Sequence, residues 1–402
     1  MNHQLLRLAP VAFAAALALT ACNRQETPAP KTAAPAPAPA PAPAKAVGSD
    51  VVKIGHVGPI SGAIAHLGKD NENGARLAVE EINAAGGVKL GDQTVKLDLV
   101  TGDDKADPKD GTLVAQKMID EGVVALVGHL NSGTTIPASK LYSDANLPHI
   151  SPSATAVKLT EQGFKTTFRV VARDDKQGAA LANFASGPLK AKTVAVIDDR
   201  TPYGQGLADE FEKFAKEKGM KVVGREFTND KASDFNAILT KIRSLKPDVV
   251  MYGGMDATAG PMAKQMKALG MKSTLLAGDG VCSPEFIKLA GNAADIMKCS
   301  NAGEAVEKLA KGADFVAKYK KRFNSDVQVY SPYSYDAVYV IVDAIKRAGK
   351  ADRAAIATAL RDTNYDGLTG KIAFDAKGDI KEGAISMFEV KDGKLSYVST
   401  VR

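Results

Sequence analysis

Tryptophan is absent from the 402-residue chain, aromatics make up only 6% of it, and cysteine and histidine occur three and five times. So few cysteines exclude a disulfide-dense scaffold, and together with the histidines they leave little material for a metal cluster. Neither sign of charge dominates: 52 Lys and Arg stand against 46 Asp and Glu, a net +6, with the lysines interleaved among acids. That balance argues against a nucleic-acid partner. Catalytic signatures are missing too, with no GxSxG elbow, no GxxxxGK[ST] loop and no HExxH. Gly55-His56-Val57-Gly58 lacks the third glycine of a dinucleotide fingerprint. What remains, 45% hydrophobic and 24% charged, is an ordinary globular chain long enough for two domains of roughly 150 residues each. No enzyme activity and no cofactor are expected of it.

The N-terminus reads as an address. Arg7 precedes an apolar run from Leu8 to Leu19, which is too short to span a bilayer as a helix of about 20 residues. Leu19-Thr20-Ala21-Cys22 resembles the bacterial lipoprotein cleavage box, so residues 1–21 are expected to leave and Cys22 to be lipidated. Residues 22–49 then form a Pro/Ala-rich linker, with Pro35, Pro37, Pro39, Pro41 and Pro43 in alternation. Such a run cannot build a core and extends as a semi-rigid spacer.

From Val51 the pattern alternates between strand and helix. Buried strands are expected at Val52–Val57, Val123–Val127, Thr193–Ile197, Asp248–Tyr252 and Thr274–Ala277, with amphipathic helices between them. The first helix is expected from Asn71 to Ala84, stopped by Gly86-Gly87, and two later ones open at Pro137 and Pro261. Serial βα units imply mostly parallel sheets covered on both faces. Two such series imply an α/β chain of two doubly wound lobes. A hairpin turned at Asp392-Gly393 closes the chain.

Doubly wound sheets take ligands at the carboxyl ends of their strands, and the unusual residues lie there. Ser132, in Gly128-His129-Leu130-Asn131-Ser132-Gly133, opens a helix; it is either an anion site at the helix N-terminus or a simple N-cap. Thr155, in Ser151-Pro152-Ser153-Ala154-Thr155, repeats the arrangement before a helix over 156–161. Asp279 between two glycines either receives a cation or makes an Asx turn. Tyr203 follows another strand and either packs on a ligand or decorates a turn. His129 and His149 read as hydrogen-bonded core residues. With Cys22 lipidated, Cys282 and Cys299 form an even pair, either bridged or buried as thiols, and a bridge is expected in an oxidising compartment.

Taken in order, several motifs resemble the leucine/isoleucine/valine-binding family of periplasmic substrate-binding proteins of the type I fold. They are Ile54-Gly55…Gly58-Pro59-Ile60-Ser61-Gly62, Ala78-Val79-Glu80-Glu81-Ile82-Asn83-Ala84-Ala85-Gly86-Gly87, Asp103-Asp104…Asp107-Pro108, Gly128-His129…Ser132, Ser151–Thr155 and Tyr203-Gly204-Gln205-Gly206. The resemblance implies three hinge crossings, a first lobe of 50–173 plus 303–382, and a second of 174–302 plus 383–402. It implies that Ser132 and Thr155 hold an α-carboxylate, and that the Ser153 carbonyl, the Thr155 hydroxyl and Asp279 receive an α-ammonium, with Ala154 in the same wall. Leu67, Leu130, Asn131, Tyr203 and Met255 would surround the side chain. Asp279 stands where the family usually has Glu, Leu67 and Met255 where relatives often carry aromatics. Ala106 and Asn131 stand where some members have a disulfide. The implied role is capture of an amino acid, branched-chain or small aliphatic, for the permease of an ABC importer, by a periplasmic monomer bound to a membrane only through its lipid. An amino acid or amide sensor of the same fold is the alternative. Cys22→Ser is expected to shift the protein from the detergent phase to the aqueous phase in a detergent-partition assay; unchanged partition would refute the anchor.

Overall fold

The structure, a computed structural model, describes residues 51–401; the expected leader, Cys22 and the linker lie outside them. The first series of elements is β1 (Val51–Gly58), α1 (Ala65–Ala84), β2 (Val88–Leu90), β3 (Gln93–Asp103), α2 (Pro108–Asp120), β4 (Ala125–Gly128), α3 (Ser132–Asp144), β5 (His149–Ser151), α4 (Lys158–Glu161) and β6 (Thr167–Arg169). The second is α5 (Asp174–Ser186), β7 (Thr193–Asp198), α6 (Pro202–Glu217), β8 (Lys221–Phe227), α7 (Asn236–Leu245), β9 (Val249–Gly253), α8 (Asp256–Ala268), β10 (Thr274–Ala277), α9 (Pro284–Ala290) and β11 (Met297–Asn301). There follow α10 (Gly312–Phe323), α11 (Ser331–Ala348), α12 (Arg353–Arg361), the short β12 (Tyr365–Asp366) and β13 (Lys371–Ile372), and the hairpin β14 (Ile385–Lys391) and β15 (Lys394–Val401).

Two sheets result. One runs β2-β3-β1-β4-β5-β6, the other β15-β14-β11-β10-β9-β7-β8. Within each, five strands are parallel, in the orders β3-β1-β4-β5-β6 and β8-β7-β9-β10-β11. Both follow the doubly wound pattern in which the first strand lies between the second and third, so each has its switch point beside its first strand. The expected two α/β lobes are therefore present, but the sheets are mixed. β2 pairs antiparallel with β3, and β14 antiparallel with both β11 and β15. In the hairpin turn Asp392 and Gly393 both have positive φ, 50° and 71°, the geometry that an Asp-Gly turn supplies.

The chain passes between the sheets three times, after β6, after β11 and before β14. These crossings lie side by side: Ala172 N donates to Ala302 O at 3.0 Å, and Gly383 packs on Ala172 so closely that a Cβ there would stand 2.9 Å from the alanine methyl. α1 and α11 pack together on the first sheet, and α5 packs with α6 on the second.

Three helices begin earlier than their sequence suggests. α1 starts at Ala65 instead of Asn71 because Asp70 and Asn71, which break the apolar period, are buried and hydrogen-bonded inside the protein. α3 and α8 start at Ser132 and Asp256, with Pro137 and Pro261 inside them. Their first turns are closed upstream of the proline, by Thr134 and Thr135 N–H donating to Asn131 O and by Thr258 and Ala259 N–H donating to Met255 O. Each proline is the sixth residue of its helix and forgoes one bond, the one its N–H would have given to the carbonyl four residues back.

Cys282 and Cys299 are joined in a disulfide, 17 residues apart in sequence, tying the segment after β10 to β11. Closing a loop of that length removes about 3 kcal/mol of chain entropy from the unfolded state. Reduction, or Cys282→Ala with Cys299→Ala, is expected to lower unfolding free energy by about 2–4 kcal/mol in denaturant titration. A loss under half a kcal/mol would contradict that assignment.

Candidate ligand-binding site

The residues singled out from the sequence all lie at the carboxyl ends of parallel strands or in the helix turns that follow. Ser132, Leu130 and Asn131 follow β4; Ser153, Ala154 and Thr155 follow β5; Leu67 is in the first turn of α1. From the second sheet, Tyr203 follows β7, Met255 follows β9 and Asp279 follows β10. β1 and β4, like β7 and β9, flank the switch points, where helices diverge to opposite faces and leave a crevice.

The first-sheet loops are stitched together. Ser153 Oγ donates to Leu130 O at 3.1 Å and accepts from Asn71 Nδ2 at 3.3 Å. Ser132 Oγ accepts from Ala156 N at 3.2 Å. Neither Ser132 nor Thr155 is the helix cap that the sequence offered as one alternative. Asn131 is the residue before α3, and Ser132 is the first residue inside it. Thr155 caps nothing, because the following helix is the short Lys158–Glu161 behind Val157. Its Oγ1 is buried without a partner at hydrogen-bonding geometry, as is Asn131 Oδ1.

Asp279 is the centre of the second-sheet side and is not in an isolated turn. Tyr203 OH and Gln177 Nε2 donate to its Oδ1 at 3.0 and 2.9 Å, and Tyr330 OH donates to Oδ2 at 2.7 Å. Tyr203 OH also accepts from Gly280 N at 3.1 Å, so the aromatic is a buried positioning group, not a turn ornament. Gln177 is fixed in turn by Ser300 Oγ, which donates to its Oε1 at 2.8 Å. Met255 reaches the same place: a Cβ on Gly280 would lie 2.7 Å from Met255 Sδ and 3.0 Å from Tyr203 Cε1.

Asp174 joins the two halves. Its backbone N donates to Thr155 O at 2.9 Å. Burial, and then the nearby Asp279 carboxylate, push its pKa up to about 8; the Thr155 and Gln177 side chains pull the other way. Asp279 is likewise raised by burial, against the stabilising bonds from Tyr330, Gln177 and Tyr203. Asp174 Oδ2 has no partner at hydrogen-bonding geometry. The cation that moderates Asp174, Arg169, is itself engaged by Asp379, by the Ala154 and Ala156 carbonyls and by Thr160. Two buried acids thus share the Gln177 amide beside the Thr155 hydroxyl, and among the described residues neither is paired with a cation of its own.

Asp174, Gln177 and Tyr330 were not legible as site residues. Asp174-Asp175 opening a helix reads as ordinary dipole compensation, and Tyr330 lies far along the chain in a segment without a motif. Its position depends on Asp70, whose carboxylate accepts from the backbone N–H groups of Gln328, Val329, Tyr330 and Ser331 at 2.8–3.1 Å. The histidines are structural. His129 bonds to Asp104 and Tyr142, and His149, its pKa lowered by burial to about 3, bonds to Gly128 O and Thr167.

A cavity of about 330 Å³ lies where the chain crossings meet, lined among others by Ala172, Gly303, Tyr333 and Gly383, and includes none of the candidate residues. Between the lobes themselves the walls are in contact. Tyr330 from the α10–α11 segment meets Asp279, and a Cβ on Gly133 of α3 would lie 3.3 Å from Pro202 Cδ of α6. The lobes are shut on each other.

A crevice at two facing switch points, entered by three chain crossings, matches a known architecture: residues 51–394 match the model of the periplasmic binding protein family. The chain belongs to that family. A Leu/Ile/Val-binding protein homolog 1 of Brucella abortus is 36% identical over 345 residues, covering 85% of this chain and 91% of the relative. The leucine-, isoleucine-, valine-, threonine-, and alanine-binding protein of Pseudomonas aeruginosa is 34% identical, covering 86% and 91%. Among solved structures, the leucine-binding protein LivK of Thermotoga maritima superposes with a TM-score of 0.81 at 30% identity, over 87% of this chain and 98% of that one. LivJ of Streptococcus pneumoniae in complex with isoleucine gives 0.80 at 28% identity, over 87% and 99%. The family is one of substrate-binding proteins, and membership in it implies a periplasmic location.

Asp174 generates a pH prediction for this binding protein. In the shut, ligand-free structure burial holds the carboxyl protonated up to about pH 8, and a cation bound beside it favours the ionised form. Binding of a ligand ammonium is therefore expected to release up to one proton at pH 7, and affinity to rise between pH 6 and 8 and then level. Calorimetry in buffers of different ionisation enthalpy measures this, and Asp174→Asn is expected to abolish the release.

Proposed function

We propose that the protein captures a zwitterionic α-amino acid with a branched-chain or small aliphatic side chain between its lobes and delivers it to the permease of an ABC importer. One observation carries this reading: Asp174 and Asp279 are buried together on one shared donor, Gln177, beside the Thr155 hydroxyl, and among the described residues no cation pairs with either. An ammonium group supplies the missing charge. Burying an ion pair costs desolvation that only close geometry and further hydrogen bonds offset, and the Tyr203, Gln177 and Tyr330 donors provide that setting for Asp279. The names of the relatives in Brucella abortus and Pseudomonas aeruginosa support the side-chain class.

In this reading Ser132 and Thr155 hold the carboxylate near the N-terminus of α3, where the helix dipole favours an anion. The Ser153 carbonyl, the Thr155 hydroxyl, Asp279 and Asp174 receive the ammonium, with Ala154 completing that wall. Leu67, Leu130, Asn131, Tyr203 and Met255 enclose the side chain. The two moving bodies are 50–173 with 303–382 and 174–302 with 383–402. Lipidated Cys22 tethers the monomer to a membrane, and the Pro/Ala linker gives it reach.

Magnitudes assign the main share to the charged ends. A micromolar Kd corresponds to about −8 kcal/mol, and burying a Leu-sized side chain supplies roughly 1.5–3 of it. Asp279→Ala and Thr155→Ala are each expected to weaken leucine binding by about 100-fold or more, and Leu67→Ala by about tenfold. Isothermal titration calorimetry that ranks Leu67→Ala as the most damaging of the three would overturn the zwitterion clamp.

A further inference from the structure

A second pair of groups spans the lobes, next in sequence to Leu67 and Met255 but itself given no part in holding the ligand. His66, in the first turn of α1, donates from Nε2 to Asp256 Oδ2 at 2.7 Å, and Asp256 opens α8 on the opposite lobe. The Asp256 side chain is completely buried, and His66 retains 22% exposure. Within its own lobe Asp256 is held ready: Ser283 Oγ donates to the same Oδ2 at 2.5 Å and accepts from Phe286 N at 3.1 Å, while Asp256 N donates to Gly280 O at 2.9 Å. Ser283 follows Cys282, so the disulfide to β11 fixes the loop that orients the carboxylate. His66 is the partner from across the cleft, and Asp256 Oδ1 has none.

We infer that His66 and Asp256 form a clasp that exists only while the lobes are shut, so that this pair sets how long a captured ligand is retained. The reasoning is physical. A buried carboxylate with one oxygen unpaired depends on each remaining donor, and loss of one leaves an under-compensated charge in a low-dielectric site. When the lobes part, water reaches both groups and the bond is exchanged for hydration at little net gain or loss. The clasp therefore acts on the closed state. Interactions formed after encounter govern dissociation more than association. A shift in the closed population changes apparent affinity by the same factor. His66 and Asp256 are positioning residues: they touch each other, adjacent to Leu67 and Met255, and not the charged ends of the ligand.

The inference rests on the amino acid reading above, and the experiment separates the two. A dye pair, one dye on each lobe, reports the closed fraction of the full-length protein by single-molecule energy transfer, without and with leucine, and stopped-flow gives leucine association and release. His66→Ala is expected to lower the closed fraction and to speed release about tenfold, with association within twofold of wild type. His66→Gln, which keeps a donor, is expected to recover part of the loss. The His66→Ala/Asp256→Ala double variant is expected to be no worse than its worse single variant, since both break one bond; Asp256→Asn replaces Asp256→Ala in that cycle should the alanine variant not fold. Additive losses, or a release rate and closed fraction equal to wild type in His66→Ala, would overturn the clasp. If even wild type ignores leucine, the ligand assignment falls, and the ligand-free closed fractions of wild type and His66→Ala still decide the clasp.

Discussion

The structure depends on a shortage of positive charge in one buried place. Asp279 and Asp174 approach each other inside the protein, and burial raises both above the usual carboxylate range. Hydroxyl and amide donors from Tyr203, Gln177 and Tyr330 soften that cost for Asp279 without neutralising it. A core designed only for stability would place a cation or an apolar side chain there. Keeping two acids under strain of this kind is the mark of a site that awaits a charged group from outside.

Around that centre, α1 does more than cover the first sheet. Within one stretch of helix, His66 reaches Asp256, Asp70 holds the segment bearing Tyr330, and Asn71 holds Ser153 and also meets Ser334. Its buried polar residues cost helix amphipathicity and in return connect the α10–α11 segment, the β5 loop and the opposite lobe. Four backbone N–H groups converging on the Asp70 carboxylate make Tyr330 a fixed rod. The second lobe answers with an equally fixed loop, held by the disulfide, by Ser283 and by Gln177 through Ser300. Closure then brings two preorganised surfaces together, which keeps small the entropy lost on binding.

Much of the fold was legible because the parallel strands are continuous apolar runs and the helices between them keep a 3.6-residue period. Where period and burial disagree the sequence misleads: α1 extends upstream of Asn71, whose burial serves hydrogen bonds, and α3 and α8 extend upstream of Pro137 and Pro261, each of which forgoes one backbone bond. Ser132, Thr155, Tyr203 and Asp279 stand out in the sequence because each follows a parallel strand. Their partners within the site do not, since Asp174 resembles a helix-opening acid and Tyr330 sits in a featureless stretch before α11.

What the chain determines by itself is local or periodic: the alternation of strand and helix, the Asp-Gly hairpin, the even cysteine pair, and the strand ends at which a ligand can sit. What only the tertiary structure decided is which polar groups from distant segments share a buried volume. Gln177, Asp279 and Tyr330 meet across gaps of 102 and 51 residues, and His66 meets Asp256 across 190. Such meetings are set by how two sheets face each other across three crossings, and no spacing within either segment encodes that distance.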